Sequence, residues 1–339
     1  MRIKLLITSG DSDYAEHLSE TLAEHHADVI EVSVCGTPER LRELLLTQRF
    51  DIALMEASFF ENMDLSSVHL PLLLYFEEEE ITAVPAEQKK IQKYQRISSI
   101  VTCMLEQYAK VSAQGRSADA ERAFITAVWS PAGGVGKTTV ALACAAGKAA
   151  RGKQVLYLNL EAFSSVPAYF TESGKSISTV FEMLESSEGN IKTLIRGIRR
   201  LDSGAGVAYF NRPDNFDDMN ILSAENVSML VTGCAGVTDE LVIDLSCVCD
   251  ERTRRVFELA DRILIVIDQT CTARTKLSQF KSQHNMFGRI KAKTVLVANK
   301  GATVGEPLVD TVVRLPHVQS TNETAIYKTL SGSSFVENV

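Results

Sequence analysis

The chain has 339 residues, 45% hydrophobic and 23% charged, the proportions of a globular protein with room for two domains. No apolar run approaches the roughly 20 residues of a membrane-spanning helix, Met1-Arg-Ile-Lys-Leu-Leu6 has no signal-peptide core, and seven cysteines without framework spacing fit a reducing compartment. A cytoplasmic protein is expected. The net charge of −8 is uneven: residues 1–110 carry 10 Lys and Arg against 19 Asp and Glu, and residues 111–339 carry 25 against 24. The acidic charge of the first half argues against nucleic acid as its own partner.

In chain order, Ile3 to Thr8 reads as a buried strand, Ser12 to Ala27 as a helix, and Val29 to Val34 as a second strand. Thr37-Pro38-Glu39 is a helix start, with Thr as N-cap and Pro at the first position. Leu41, Leu44 and Leu45 line that helix. Asp51 to Glu56 and Leu70 to Phe76 are further strands, a short one lies near Ile91 to Tyr94, and Ile97 to Tyr108 is a last helix. Strands alternating with helices predict a parallel sheet covered on both faces. Glu77-Glu-Glu-Glu80 reads as an exposed loop that favours solubility.

This order, over about 100 residues, resembles the receiver domain of bacterial response regulators. The strand Asp51 to Glu56 stands where receivers carry the phosphoacceptor aspartate at the strand end. Here that position is Glu56. Asp11 and Asp13 fall near the receiver's acidic metal pair, and Lys93 near its lysine. The resemblance therefore implies a receiver-like domain that is not phosphorylated. Glu56 is open to two readings, a phosphate-mimicking carboxylate or a solvated one at a strand end.

Residues 111–121 are small and polar without period, which predicts a linker between a domain over 1–110 and another over 122–339.

The second domain opens on an apolar run, Phe124 to Trp129, a glycine-rich loop and a helix-forming run from Val140. Strand, glycine loop and helix N-terminus form the context of a phosphate-binding loop, in which backbone amides and the helix dipole face an anion. Gly133, Gly134, Val135, Gly136, Lys137, Thr138 and Thr139 are the expected cradle. Lys137 is placed for the β- and γ-phosphates and the Thr138 hydroxyl for Mg²⁺. The strict pattern fails at one position, since Pro131 stands where its first glycine belongs. Val155 to Glu161 reads as a strand with polar groups at its C-terminal end, where open parallel sheets bind ligands. Ser176 to Glu185 and Ile191 to Leu201 read as helices, and Val207 to Phe210 as a strand. Leu241 to Ser246 is an apolar strand carrying Asp244, the expected Mg²⁺-side carboxylate of a P-loop protein. Arg262 to Asp268 and Lys293 to Lys300 are further buried strands.

Pro131-Ala-Gly-Gly-Val-Gly-Lys-Thr-Thr139 resembles the deviant Walker A loop of the ParA/MinD ATPases, and the resemblance runs over roughly residues 122–330. It implies ATP or ADP with Mg²⁺ as cofactors, a nucleotide-dependent homodimer, and weak ATP hydrolysis by Lys137, Glu161 and Asp244. It places Glu161 in switch I, Asp244 in switch II, Asn299 at an adenine contact and Pro316 on the nucleotide's other side. A receiver-like domain ahead of such an ATPase resembles the CpaE group, which implies a role in localising or assembling a structure such as a pilus or secretion system. A protein partner would then meet the N-terminal domain. Two positions depart from the family. Its signature lysine, which reaches a partner's phosphates, would fall at Ala132, and its first switch I aspartate is Asn159. Loss of a trans cation of the arginine-finger type costs roughly 10³–10⁵ in rate, so binding is better supported than fast turnover. The alternatives are a pseudo-ATPase without turnover and an iron–sulfur reductase using Cys247 and Cys249. Lys192, Arg196, Arg199 and Arg200, with Arg252, Arg254 and Arg255, are basic sets that could touch DNA, which the near-neutral charge of this half disfavours.

Overall fold

The computed structural model describes residues 2–27, 29–60, 63–76, 88–111, 122–170, 175–186, 191–303, 309–337 and 339. Residues 112–121 of the expected linker and the acidic run Glu77–Glu80 lie outside the described residues. The chain divides into two compact units, Met1–Ser117 with Glu188–Gly197, and Ala118–Ser187 with Ile198–Val339. Both are α/β, each built on a mostly parallel sheet with helices on both faces.

In the first unit, β1 (Ile3–Thr8), β2 (Ile30–Cys35), β3 (Phe50–Met55), β4 (Val68–Tyr75) and β5 (Lys90–Gln92) run parallel in the order β2-β1-β3-β4-β5. That is the flavodoxin-like order, whose ligand-binding crevice opens where the order reverses, between β1 and β3. Side-chain alternation along β1 covers both faces. Leu5 and Ile7 pack with Leu18 and Leu22 of the helix Ser12–His26 and with Met104 and Leu105 of the helix Ile97–Val111. Leu6 packs with Leu41 and Leu45 of the helix Pro38–Thr47. The latter starts as the sequence predicts, with Thr37 accepting from the Arg40 amide and Pro38 at the first position.

In the second unit, β6 (Phe124–Trp129), β7 (Val155–Leu160), β8 (Arg200–Asp202), β9 (Val207–Tyr209), β10 (Glu240–Leu245), β11 (Arg262–Ile267), β12 (Thr294–Ala298) and β13 (Thr311–Arg314) form one sheet. Its order is β13-β12-β11-β6-β10-β7-β9-β8, and only β8 runs antiparallel. β6, β7, β10, β11 and β12, β-branched and leucine-rich, are buried at all but at most one end residue each, as parallel strands covered on both faces require. Val128 packs against the helix Lys137–Ala149. Trp129, one residue on, meets Phe257 and Phe280 from the helices Glu251–Leu259 and Cys271–Lys281 on the other face. The register sets Asp244 on β10 opposite Val128 of β6 and Asn159 of β7.

The helix expected over Ile191 to Leu201 ends at Ile198. Its apolar face is as expected, with Leu194, Ile195 and Ile198 buried, but Arg200 begins the edge strand β8, which pairs with β9. Ladder hydrogen bonds to β9 outweigh helical periodicity there. β13 and the helices Phe216–Ile221 and Ala224–Ala235 had no sequence expectation.

Candidate functional site

β6 delivers the chain to the middle of the second sheet, and the glycine loop leaves from its C-terminal end. Ser130 turns the chain by accepting from the Ala132 amide at 3.1 Å. Gly134 and Gly136 adopt φ of 74° and 92°, the left-handed region that glycine enters without steric cost. At Gly136 a side chain is excluded twice, since a Cβ would also lie 2.4 Å from Asn299 Nδ2. Gly136 caps the helix Lys137–Ala149 with no side chain bonding its first amides. Those amides need an acceptor from outside the helix, and the dipole favours an anion there. Lys137 opens the helix with its side chain largely buried.

Asp244 is fully buried on β10. Tyr157 donates to its Oδ2 at 2.8 Å and Asn159 Nδ2 at 3.2 Å. Among the described residues Oδ1 has no hydrogen-bond partner. Burial, reinforced by the charge of Glu161, pushes the carboxyl up to about 7, against the pull of Thr138, Tyr157 and Lys137. An orphaned buried oxygen beside a threonine hydroxyl fits a hydrated divalent cation, so the residues present suit Mg²⁺. Glu161 follows β7, and its amide donates to Asn159 Oδ1 at 3.2 Å. Beside it a groove of about 330 Å³ runs between the ends of β7 and β10, edged by Phe163, Val248 and Arg252.

Asn299 lies at the end of β12, and its Nδ2 donates to the Val135 carbonyl at 2.9 Å. Pro316 is exposed beside this turn, where the Leu315 carbonyl accepts from the Gly301 amide at 2.9 Å. The fold therefore gathers the predicted loop, Lys137, Thr138, Glu161 and Asp244 at one sheet edge, with Asn299 under the loop. Sequence reasoning missed Tyr157 and Lys300. Period-two spacing from Asn159 puts Tyr157 on the face of Asp244, a signal that was there to use.

A second polar cluster lies in the first unit, at the β1/β3 crevice. Glu56 accepts from Ser9 Oγ at 2.5 Å, the Gly10 amide at 2.9 Å and Lys93 Nζ at 2.6 Å. Burial raises its pKa, and these three donors more than offset it, so the carboxyl titrates below its usual range. Lys93 also lies 3.5 Å from Asp11, whose Oδ2 accepts from Tyr94 at 2.7 Å. Asp11 and Lys93 thus join Glu56, while Asp13 stands exposed on the following helix. Of the basic sets, Arg252 is bonded to Asp250 and to the Met219 carbonyl, and Arg255 to Glu258. Arg199 donates to the Val237 carbonyl. All seven cysteines are free thiols, and among the described residues no three His, Cys, Asp or Glu side chains are grouped to hold a metal.

No protein-family model and no curated protein matches the chain. Among solved structures it is similar to a ParA family ATPase from Chlorobium tepidum TLS, with a TM-score of 0.53 and 15% identity over 65% of this chain and 96% of that one. Over that part of the chain the fold is that of a ParA family ATPase. A plasmid partition protein from Borrelia burgdorferi is also similar, with a TM-score of 0.48 and 16% identity over 65% of this chain and all of that one. So is the septum site-determining protein MinD from Pyrococcus horikoshii OT3, solved with Mg-ADP, with a TM-score of 0.48 and 13% identity over 64% and 92% of the two chains.

Proposed function

We propose that the chain is an ATP–Mg²⁺-binding switch protein of ParA/MinD type whose hydrolysis is slow. The observation that carries this reading is the convergence of an uncapped helix N-terminus, the buried Lys137 and the orphaned Asp244 Oδ1 at one sheet edge. The loop amides from Gly133 to Thr139 and Lys137 would take the phosphates. Thr138 and, through water, Asp244 would hold Mg²⁺, which neutralises charge on the β- and γ-phosphate oxygens. Glu161 can orient a water near the γ-phosphate. Asn299 and Pro316 would flank the base.

Slow turnover follows from Ala132. The position of the family's signature lysine holds a methyl group that is 4% exposed, so no cation reaches out from it. Asn159 cannot act as an anionic base, and its amide is engaged on Asp244. These two observations also favour the limiting case of a pseudo-ATPase that binds without turnover.

The first unit serves, in this reading, as a receiver-like module that recognises a protein partner. Its Glu56 is engaged by three donors, which suits a fixed carboxylate rather than a phosphoryl acceptor. A receiver-like unit ahead of a nucleotide switch in the sequence resembles the CpaE arrangement, and the task would then be to localise or assemble a cell structure such as a pilus or secretion system.

Thermal melting with and without ATP–Mg²⁺ tests the nucleotide reading. A ligand at about 100 times its Kd stabilises the native state by about 2.7 kcal/mol. The wild type should melt higher with nucleotide, and Lys137→Ala should lose most of that gain. An equal gain in both would move the nucleotide away from this loop.

A further inference from the structure

Lys300 is the only residue other than glycine that has a positive φ among the described residues, at 55°. Left-handed backbone disfavours a residue with a Cβ, and persists where the surroundings fix it. The turn aims the side chain back across the sheet edge. Lys300 Nζ donates to the Gly134 carbonyl at 2.7 Å and lies 3.5 Å from Asp268 Oδ2. Asp268 follows β11 and is itself fixed, because its Oδ1 accepts from the Thr270 hydroxyl at 2.6 Å and the Thr270 amide at 3.0 Å. One carbonyl further along the loop, Asn299 holds Val135.

A peptide unit is planar and trans, so its C=O and N–H point in opposite directions. Pinning the Gly134 carbonyl outward turns the Val135 amide inward. Pinning the Val135 carbonyl does the same for the Gly136 amide. These are amides that the nucleotide reading assigns to phosphate. An anion site preset in this way spends none of its binding free energy on ordering the loop. We propose that Lys300 is a positioning residue of the nucleotide site, which with Asn299 clamps the phosphate loop in its anion-binding form before nucleotide arrives. The proposal rests on the ATP-binding reading above and adds a residue to it.

The test uses the full chain with Lys300→Met, Lys300→Arg and Lys300→Gly. Three quantities are measured: ATP–Mg²⁺ affinity by calorimetry, the ligand-free Tm, and ligand-free amide exchange of the peptide spanning residues 131–138. Loss of a charge-assisted hydrogen bond should weaken ATP about tenfold in Lys300→Met, with exchange at Val135 and Gly136 faster by a similar factor. The ligand-free Tm should stay within about 2 °C. Lys300→Arg keeps the cation and should bind ATP within about threefold of wild type. Lys300→Gly relieves the left-handed backbone, so its ligand-free Tm should rise while its ATP affinity falls with that of Lys300→Met. A side chain that merely braced the fold would lower both together, and that result overturns the proposal. Wild-type exchange in Lys300→Met overturns it as well. If the wild type takes up no ATP, the nucleotide reading falls, while the exchange contrast still decides the clamp.

Discussion

Asp244 shows how one side chain trades stability against function. The unfolded carboxyl titrates near 3.8 and the folded one near 7. Between these values the native state holds the extra proton, so stability falls as pH rises from about 4 to about 7. Above that range the full penalty stands, up to about 4 kcal/mol at 1.36 kcal/mol per unit. Burial is the main cause, then Glu161, and the groups that face the carboxylate are Thr138, Tyr157, Asn159 and Lys137. Asp244→Asn keeps an acceptor for the Tyr157 hydroxyl and removes the charge. The ligand-free variant should melt above wild type at pH 8, with the gap narrowing towards pH 5, and should show no Mg²⁺-dependent gain from ATP. A variant that melts lower than wild type at pH 8 would mean that the ionised carboxylate is not a burden to the native state.

The element that carries the site is the helix Lys137–Ala149. Its sequence is rich in alanine, and small side chains bring its neighbours close. At Gly147 a Cβ would lie 2.4 Å from Val336 Cγ2 and 2.9 Å from the Ser331 carbonyl oxygen, which ends the helix Glu323–Ser331. Next to it Lys148 pairs with Glu240 at 2.8 Å, tying the helix to the start of β10. Alanine at a helix interior is intrinsically better than glycine by about 1 kcal/mol. Here the backbone oxygen cannot yield as a side chain can, and overpacking costs about 1–3 kcal/mol. Gly147→Ala should therefore lower the midpoint of urea unfolding in spite of its helix propensity. A raised midpoint would show that the C-terminal segment stands further from the phosphate-loop helix. The ladder between β8 and β9 makes the same point from the other side: Arg199 and Arg200 continue a helical pattern in sequence, yet the sheet edge claims Arg200 and the Val237 carbonyl claims Arg199.

At the scale of the whole molecule, the question is whether a second copy completes the site. Ala132 offers no cation, and of the nearby basic set Arg252 is occupied by Asp250 and Met219 and Arg255 by Glu258. Charge neutralisation is the larger part of phosphoryl-transfer catalysis, and orienting a water with Glu161 is the smaller. ATP hydrolysis per subunit should thus be slow and should stay flat when the protein is diluted about a hundredfold. A steep fall on dilution would require a cation from another surface of the partner, and Arg254 would be the first to substitute.

The sequence by itself determined the α/β class and the place of the glycine loop between a strand and the helix that opens on Lys137 and Thr138. It could do so because those signals are local: a strand period, a run of glycines and a helix start within about 20 residues of chain. It also determined the absence of the signature lysine, which is one letter at a fixed spacing. Only the tertiary structure decided what faces Asp244. Tyr157 and Asn159 lie more than 80 positions away and reach it because β7 and β10 pair in one register. Only the structure showed that Lys300 crosses to Gly134, 166 positions back, since a left-handed turn after β12 leaves no pattern that a residue type announces. It likewise decided that the expected helix stops at Ile198, because a strand at a sheet edge is stabilised by its neighbour and not by its own sequence.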